Sequence, residues 1–219
     1  MQKPDPGREL DRDVAGCAAA HQVLLAALDG LSDDDARRPS LLPGWSVGHV
    51  LTHLARNADG LAGIFEGAER GEEVPQYPSL EARNHDIEAG SSRPARDLVG
   101  DVRRTIWRLE STWASTTAVG WEGFGLTVSG RIATRELPRR RWTETVVHHA
   151  DLGLGYQPSD WPDEWVRLEL RRLTMLWTSR RPMGMTELPP EARALDDRTR
   201  LRWLLGRAEV PGLPAAGIL

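Results

Sequence analysis

The chain has 219 residues, 32 acidic against 28 basic side chains, a net charge of −4 and one cysteine. Its length can bury a sizeable core as one domain with an appendage or as two small domains, and its acidic balance with scattered arginines offers no basic face for nucleic acid. Cys17 leaves no internal disulfide framework. No uninterrupted apolar run approaches the roughly 18 residues of a membrane span. The first ten residues, MQKPDPGREL, are polar and lack the apolar stretch of a signal peptide. A cytoplasmic protein that binds neither nucleic acid nor membrane is therefore expected.

From Leu10 to Leu28 the apolar residues Leu10, Val14, Cys17, Ala18, Leu24, Leu25 and Leu28 recur at helical spacing, and Gly30 marks a stop. Cys17 belongs to this stripe and reads as a small buried hydrophobe rather than a nucleophile. His21 reads as structural, with no evident partner. Leu31 to Ser40 begins SDDDARR, the acidic first turn of a short helix. Pro43 and Gly44 then make a turn, Ser46 is a good N-cap, and a helix is expected from Val47 to about Gly67. Its apolar face is Val47, Val50, Leu51, Leu54, Ala58, Leu61 and Phe65. His53 lies at the margin of that face, where a side chain looks into a cleft between helices. His49 lies nearer the polar side, and a His49–His53 pair at i, i+4 remains an alternative.

Gly71 to Ser79 is a proline-bearing loop, and EARNHDIEAG is a short helix stopped by Gly90-Ser91-Ser92. His85, on that helix, reads as a surface or structural residue. Pro94, at an N1-like position, opens a long amphipathic helix through Leu98, Val99, Val102, Ile106, Leu109 and Trp113. Thr116 to Gly125 reads as a linker. Gly125 to Leu137 alternates apolar and polar residues as a β-hairpin with its turn at Ser129-Gly130.

The stretch Leu137 to Tyr156, LPRRRWTETVVHHADLGLGY, carries the chemistry. Wound at about 100° per residue, it places Trp142, Val146, Val147 and Ala150 on one side and Arg141, Glu144, His148 and Asp151 on the other. Glu144 and His148, one turn apart, can grip a metal ion from a single helix. A catalytic site takes a third protein ligand, and the cleft-facing His53 suits it best. The arginines at 139–141 carry the wrong charge for the positive end of a helix dipole. Arg139 and Arg140 are either solvated or paired with an acidic helix or an anionic ligand, while Arg141 shares the Glu144 stripe and is expected to orient that carboxylate.

After Gly155 the composition changes. YQPSDWPDEW is a connection, Trp165 to Trp177 an amphipathic helix, Arg180 to Pro190 a turn-rich segment with room for a short strand at most, and a last helix ends near Gly206. Long helices near 10–30, 46–68, 94–116 and 138–153 form a four-helix-type bundle in residues 1–153, followed by a small domain in residues 154–219.

The segments PGWSVGHVLTHLARNADGL, RNHDIEAGSSRPARDLVGDVR and LPRRRWTETVVHHADLGLGY followed by DWPDEW resemble the mycothiol-dependent maleylpyruvate isomerase family over about Leu10 to Trp165. The ending WLLGRAEVPGLPAAGI is similar as well. The resemblance implies a mainly α protein: a DinB-like four-helix bundle followed by a small α/β or α+β C-terminal domain. It implies zinc, or another divalent metal, held by two histidines and a glutamate, matched here by His53, Glu144 and His148. It also implies mycothiol as the thiol, and a functional arginine in the C-terminal domain, for which Arg207 is the best match and Arg202 a weaker one. The implied reaction is the cis–trans isomerisation of a small dicarboxylate, maleylpyruvate, to fumarylpyruvate by thiolate addition, bond rotation and elimination. The same metal and thiol would serve a mycothiol S-transferase that stops at the adduct. A non-enzymatic helical binding or regulatory module is the remaining alternative.

Overall fold

A computed structural model describes residues 6–180 and 186–217. The chain divides into two compact units, Met1–Gly155 and Tyr156–Leu219. In the first, the long helices are α1 (Pro6–Ala27), α3 (Val47–Glu69), α5 (Ala95–Ser115) and α7 (Leu137–Asp151). Short helices α2 (Asp33–Arg37), α4 (Leu80–Ser91) and α6 (Ala118–Trp121) lie between them, and strands β1 (Phe124–Thr127) and β2 (Gly130–Ala133) precede α7. The long helices pack in a ring, α1 on α7, α7 on α3, α3 on α5 and α5 on α1, which is a four-helix bundle.

The boundaries follow local chemistry. Ser32 opens α2 by accepting a hydrogen bond from the Asp35 backbone N–H while the Asp35 carboxylate accepts one from the Ser32 N–H. Ser46 starts α3 in the same reciprocal manner with His49, whose Nδ1 accepts the Ser46 N–H at 3.2 Å. The bundle then closes over Leu24, Leu28, Val50, Leu51, Leu54, Leu98, Val102 and Ile106, all essentially inaccessible to solvent. Each such aliphatic side chain contributes roughly 1.5–3 kcal/mol when removed from water. Phe65, Trp113 and Trp121 form an aromatic cluster, with Phe65 edge-on to Trp121 at a centroid distance of 4.9 Å. At the α1–α7 crossing Gly16 admits the Trp142 ring: a Cβ at residue 16 would lie 2.4 Å from the nearest ring atom.

Three local expectations shift. Pro94 is the N-cap of α5 rather than its first helical residue. The linker at 116–125 contains α6, because Thr117 turns its hydroxyl back to accept the Val119 N–H. The hairpin turns at Val128-Ser129, with Thr127 opposite Gly130. No described non-glycine residue has positive φ, whereas Gly130 has φ +101°, so the glycine follows the turn as a bulge residue instead of occupying its centre.

The second unit contains α8 (Asp163–Ser179), α9 (Pro190–Ala194) and α10 (Asp197–Leu204). α8 packs on α10, where Trp177 and Trp203 meet at 4.9 Å between centroids. Arg198 ties the entry to α8 by donating to the carbonyls of Pro158 and Trp161 and to Asp163. Asp196 caps α10 by accepting from the N–H groups of Arg198 and Thr199. The mainly α class holds. The strand content expected of this unit is not found among its described residues, and residues 181–185 of the turn-rich segment lie outside them. Residues 186–189 of that segment form neither helix nor strand and end at Pro189.

Candidate metal centre

α3 and α7 are neighbours in the ring, so a residue at the margin of α3 can meet the polar stripe of α7. That stripe is turned inward: Arg141 and Asp151 are buried, and His148 and Glu144 are only partly exposed. His53 Nε2 donates to Glu144 Oε2 at 2.9 Å, and His148 Nε2 lies 3.5 Å from the same oxygen. The rings of His53 and His148 meet edge to face at 4.7 Å between centroids. One ligand atom from each of the three residues lies within 4.8 Å of the other two. Around a tetrahedral ion with bonds of about 2.0–2.2 Å, neighbouring donors are roughly 3.3–3.6 Å apart. The existing separations therefore fit a shared ion with only small movements.

Asp151 orients the centre. Its Oδ2 accepts from His148 Nδ1 at 2.9 Å, which points Nε2 of that imidazole toward Glu144. Burial works against charge on His148, but the hydrogen bonds it donates to Asp151 and Glu144 outweigh it and raise its pKa to about 9. Burial also opposes ionisation of Glu144, yet its two histidine partners hold the carboxyl well below its ordinary range. Burial lowers the pKa of His53 against the opposing hydrogen bond to Glu144. A divalent cation placed among them would take over the role of the shared protons, which is the behaviour of a two-imidazole, one-carboxylate donor set.

The centre opens on a cavity of about 210 Å³. Its walls include Asn57, Tyr77, Arg83, Arg140 and Arg141 besides the three candidate ligands, and the hairpin tip Thr127–Ser129 also borders it. Burial raises the pKa of Tyr77, so its phenol stays a neutral hydrogen-bond donor.

His49 is engaged with Ser46 and with Glu88 at 3.2 Å, and it is not part of the convergent group. His85 is exposed. Cys17 is fully buried, and burial drives its thiol pKa far upward, so it remains an un-ionised core residue. His21, expected to lack a partner, has three polar neighbours: Glu110 at 2.8 Å, Arg141 Nε donating at 3.1 Å, and the Cys17 sulfur at 3.7 Å. Arg141 does not orient Glu144 through a hydrogen bond. It donates instead to His21, the Leu54 carbonyl and Asn57 Oδ1, because its position on α7 directs it into the bundle interior, where it reaches one residue of α1 and two of α3. The carboxylate that orients a ligand is Asp151. Arg207, in the second unit just after α10, is half-buried and donates from Nη1 to the Leu205 carbonyl.

Asn57, Tyr77 and Arg83 were not marked as site residues from the sequence. Asn57 had a usable signal, lying one turn beyond His53 on the same margin. Tyr77 and Arg83 reach the cavity from a loop and a short helix whose course depends on tertiary packing.

A family model described as the mycothiol maleylpyruvate isomerase N-terminal domain matches residues 17–153. Among solved structures, a mycothiol-dependent maleylpyruvate isomerase superposes with a TM-score of 0.81 at 26% identity, covering 94% of this chain and 96% of the other. A histidine-to-alanine mutant of a mycothiol-dependent maleylpyruvate isomerase gives the same TM-score at 25% identity and the same coverage. No curated protein gives a significant sequence match. The family model spans well over half of the chain, and together with the four-helix bundle it shows that this protein belongs to the mycothiol maleylpyruvate isomerase family.

Proposed function

We propose that the protein is a mycothiol-dependent cis–trans isomerase that converts maleylpyruvate to fumarylpyruvate at a divalent metal, zinc by preference, held by His53, Glu144 and His148. The observation that carries this reading is the convergence of two imidazoles and one carboxylate from α3 and α7 at the wall of a cavity. Three protein ligands leave a position open on zinc, and the ion when bound supplies Lewis acidity that makes a thiol ionise near neutral pH. The same donor set also suits iron.

The protein's own groups do the rest. Asp151 fixes the His148 ring, and Glu144 and His53 fix each other, so the donors are pre-aligned before any ligand arrives. Cys17 is buried, so the nucleophilic sulfur comes from the cosubstrate. Its thiolate adds to a carbon of the cis double bond, and the electron pair moves onto the conjugated carbonyl oxygen as an enolate. The former double bond is now single and rotates. The enolate then collapses, the carbon–sulfur bond breaks, and the trans isomer leaves with the thiolate regenerated. Arginines at the cavity favour the developing negative charge. Arg207 is our candidate for a functional arginine of this reaction, and turnover unchanged in Arg207→Ala would remove it from the account.

The test is maleylpyruvate consumption with and without mycothiol at defined zinc. The proposal expects consumption only with the thiol, fumarylpyruvate as product and no net loss of thiol. Stoichiometric loss of thiol with an accumulating adduct would identify an S-transferase instead. No reaction with maleylpyruvate or with a second thiol electrophile such as a bimane would leave a binding module.

A further inference from the structure

Arg141 is a buried cation with no carboxylate among its hydrogen-bond partners. A guanidinium carries five N–H groups. Here one from Nε goes to His21, and those of Nη1 go to the Leu54 carbonyl and Asn57, all formally neutral acceptors. Nη2 is buried and makes no hydrogen bond. The side chain is fully withdrawn from bulk solvent yet forms part of the cavity wall. Its charge is compensated only at a distance, by Glu144 one turn along α7 and, through His21, by Glu110. Charge buried in this way is costly unless an anion meets it, and a fork-shaped donor is matched best by a planar carboxylate.

The cavity has the charge that such a ligand requires. Arg83 and Arg140 join Arg141 on its walls, against the single carboxylate of Glu144. Glu144 is already engaged by His53 and His148, so it is not the partner that Nη2 lacks. Asn57 and His21 hold Nη1 and Nε in place, which leaves the Nη2 edge fixed in direction before a ligand binds.

We infer that the Nη2 edge of Arg141 is the anchor for a carboxylate of the acid substrate, set in the wall of the same cavity that holds the candidate metal ligands. This deepens the proposed isomerase reading and rests on it for the identity of the acid. Arg141 is a binding residue in this role: it holds one end of a small dicarboxylate while the conjugated double bond faces the thiol. The second carboxylate remains for another cation.

Maleate, a cis-dicarboxylate that does not react in the absence of thiol, is the probe. Calorimetric titration of the zinc-loaded protein should show maleate binding that dimethyl maleate, which lacks the charges, does not reproduce. Arg141→Lys, which keeps the charge but not the fork, should weaken maleate about ten- to a hundred-fold and raise KM for maleylpyruvate in proportion, with KM for mycothiol unchanged. Equal maleate affinity in a folded Arg141→Lys protein would overturn the inference. If the variant does not fold, a crystal structure of the wild-type protein with maleate decides the matter: a carboxylate oxygen on Nη2 supports it, and maleate bound elsewhere overturns it. Maleylpyruvate turnover in a protein whose maleate avoids Arg141 would sink the anchor and spare the isomerase. Maleate held by Arg141 without turnover would do the reverse.

Discussion

Lowering the pH from 7.5 to 5 should destabilise the bundle through His21, and the structure sets the size of the effect. His21 is fully buried, and burial lowers its pKa from 6.5 to about 4; the Arg141 cation adds to the shift while the Glu110 hydrogen bond opposes it. The folded-state value lies below the unfolded one, so the stabilisation is present above pH 6.5 and is lost as pH falls through about 4. Linkage over that shift amounts to about 3 kcal/mol in full, of which about 2 kcal/mol is already lost at pH 5. Most carboxylates are still ionised at pH 5, so the upper part of the window reports mainly on histidines. Urea unfolding of the wild-type protein and of His21→Gln, both with chelator present, isolates the term. The variant should be less stable at pH 7.5, by roughly 1–3 kcal/mol, because Glu110 loses its donor. It should also lose about 2 kcal/mol less than the wild type on going to pH 5. His53, whose pKa is also lowered, titrates in both proteins and cancels. Equal losses in the two proteins would refute the reasoning.

Asp151→Asn removes the charge that orients His148 and should weaken zinc retention about ten- to a hundred-fold, measured by competition with a chromophoric chelator. Gly16→Ala drives a methyl group into the Trp142 ring; a loss of about 1–3 kcal/mol is expected in urea, together with weaker zinc binding because α7 carries both the ring and two of the candidate ligands. Unchanged stability would mean that the α1–α7 contact is looser than described. Trp203→Ala removes the partner of Trp177 and a hydrogen bond from its Nε1 to the Pro214 carbonyl. Calorimetry should show a loss of about 3–5 kcal/mol in the second unit, with zinc binding by the first unit retained.

The long helices were legible because their apolar residues recur at helical spacing and their ends carry strong signals, such as Ser46 before α3 and Gly30 beyond the end of α1. The meeting of His53 with Glu144 and His148 was legible for a related reason: the margin of one amphipathic face and the polar stripe of another both point toward the seam between two packed helices. What the pattern could not disclose were contacts fixed by which helices become neighbours. His21 and Glu110 lie 89 positions apart and meet at the α1–α5 contact, so nothing local pairs them. Arg141 lies on the same stripe as Glu144, yet its longer side chain runs into the bundle interior to Asn57 and the Leu54 carbonyl of α3. The hairpin turn was misplaced by one residue because Ser-Gly suits the centre of one turn type and the bulge position after another, and only φ separates them. Arg83 and Tyr77 reach the cavity from segments with little periodicity, where sequence carries no directional information.

The most direct measurement is the zinc stoichiometry and affinity of the purified protein beside Glu144→Gln, a substitution that keeps the shape of the side chain and removes its charge. The account predicts one ion per wild-type chain and its loss from the variant, with the helical content of both unchanged. A wild-type chain that binds no divalent ion, or a Glu144→Gln chain that holds one as tightly, would contradict the claim that α3 and α7 bring their donors together around a metal.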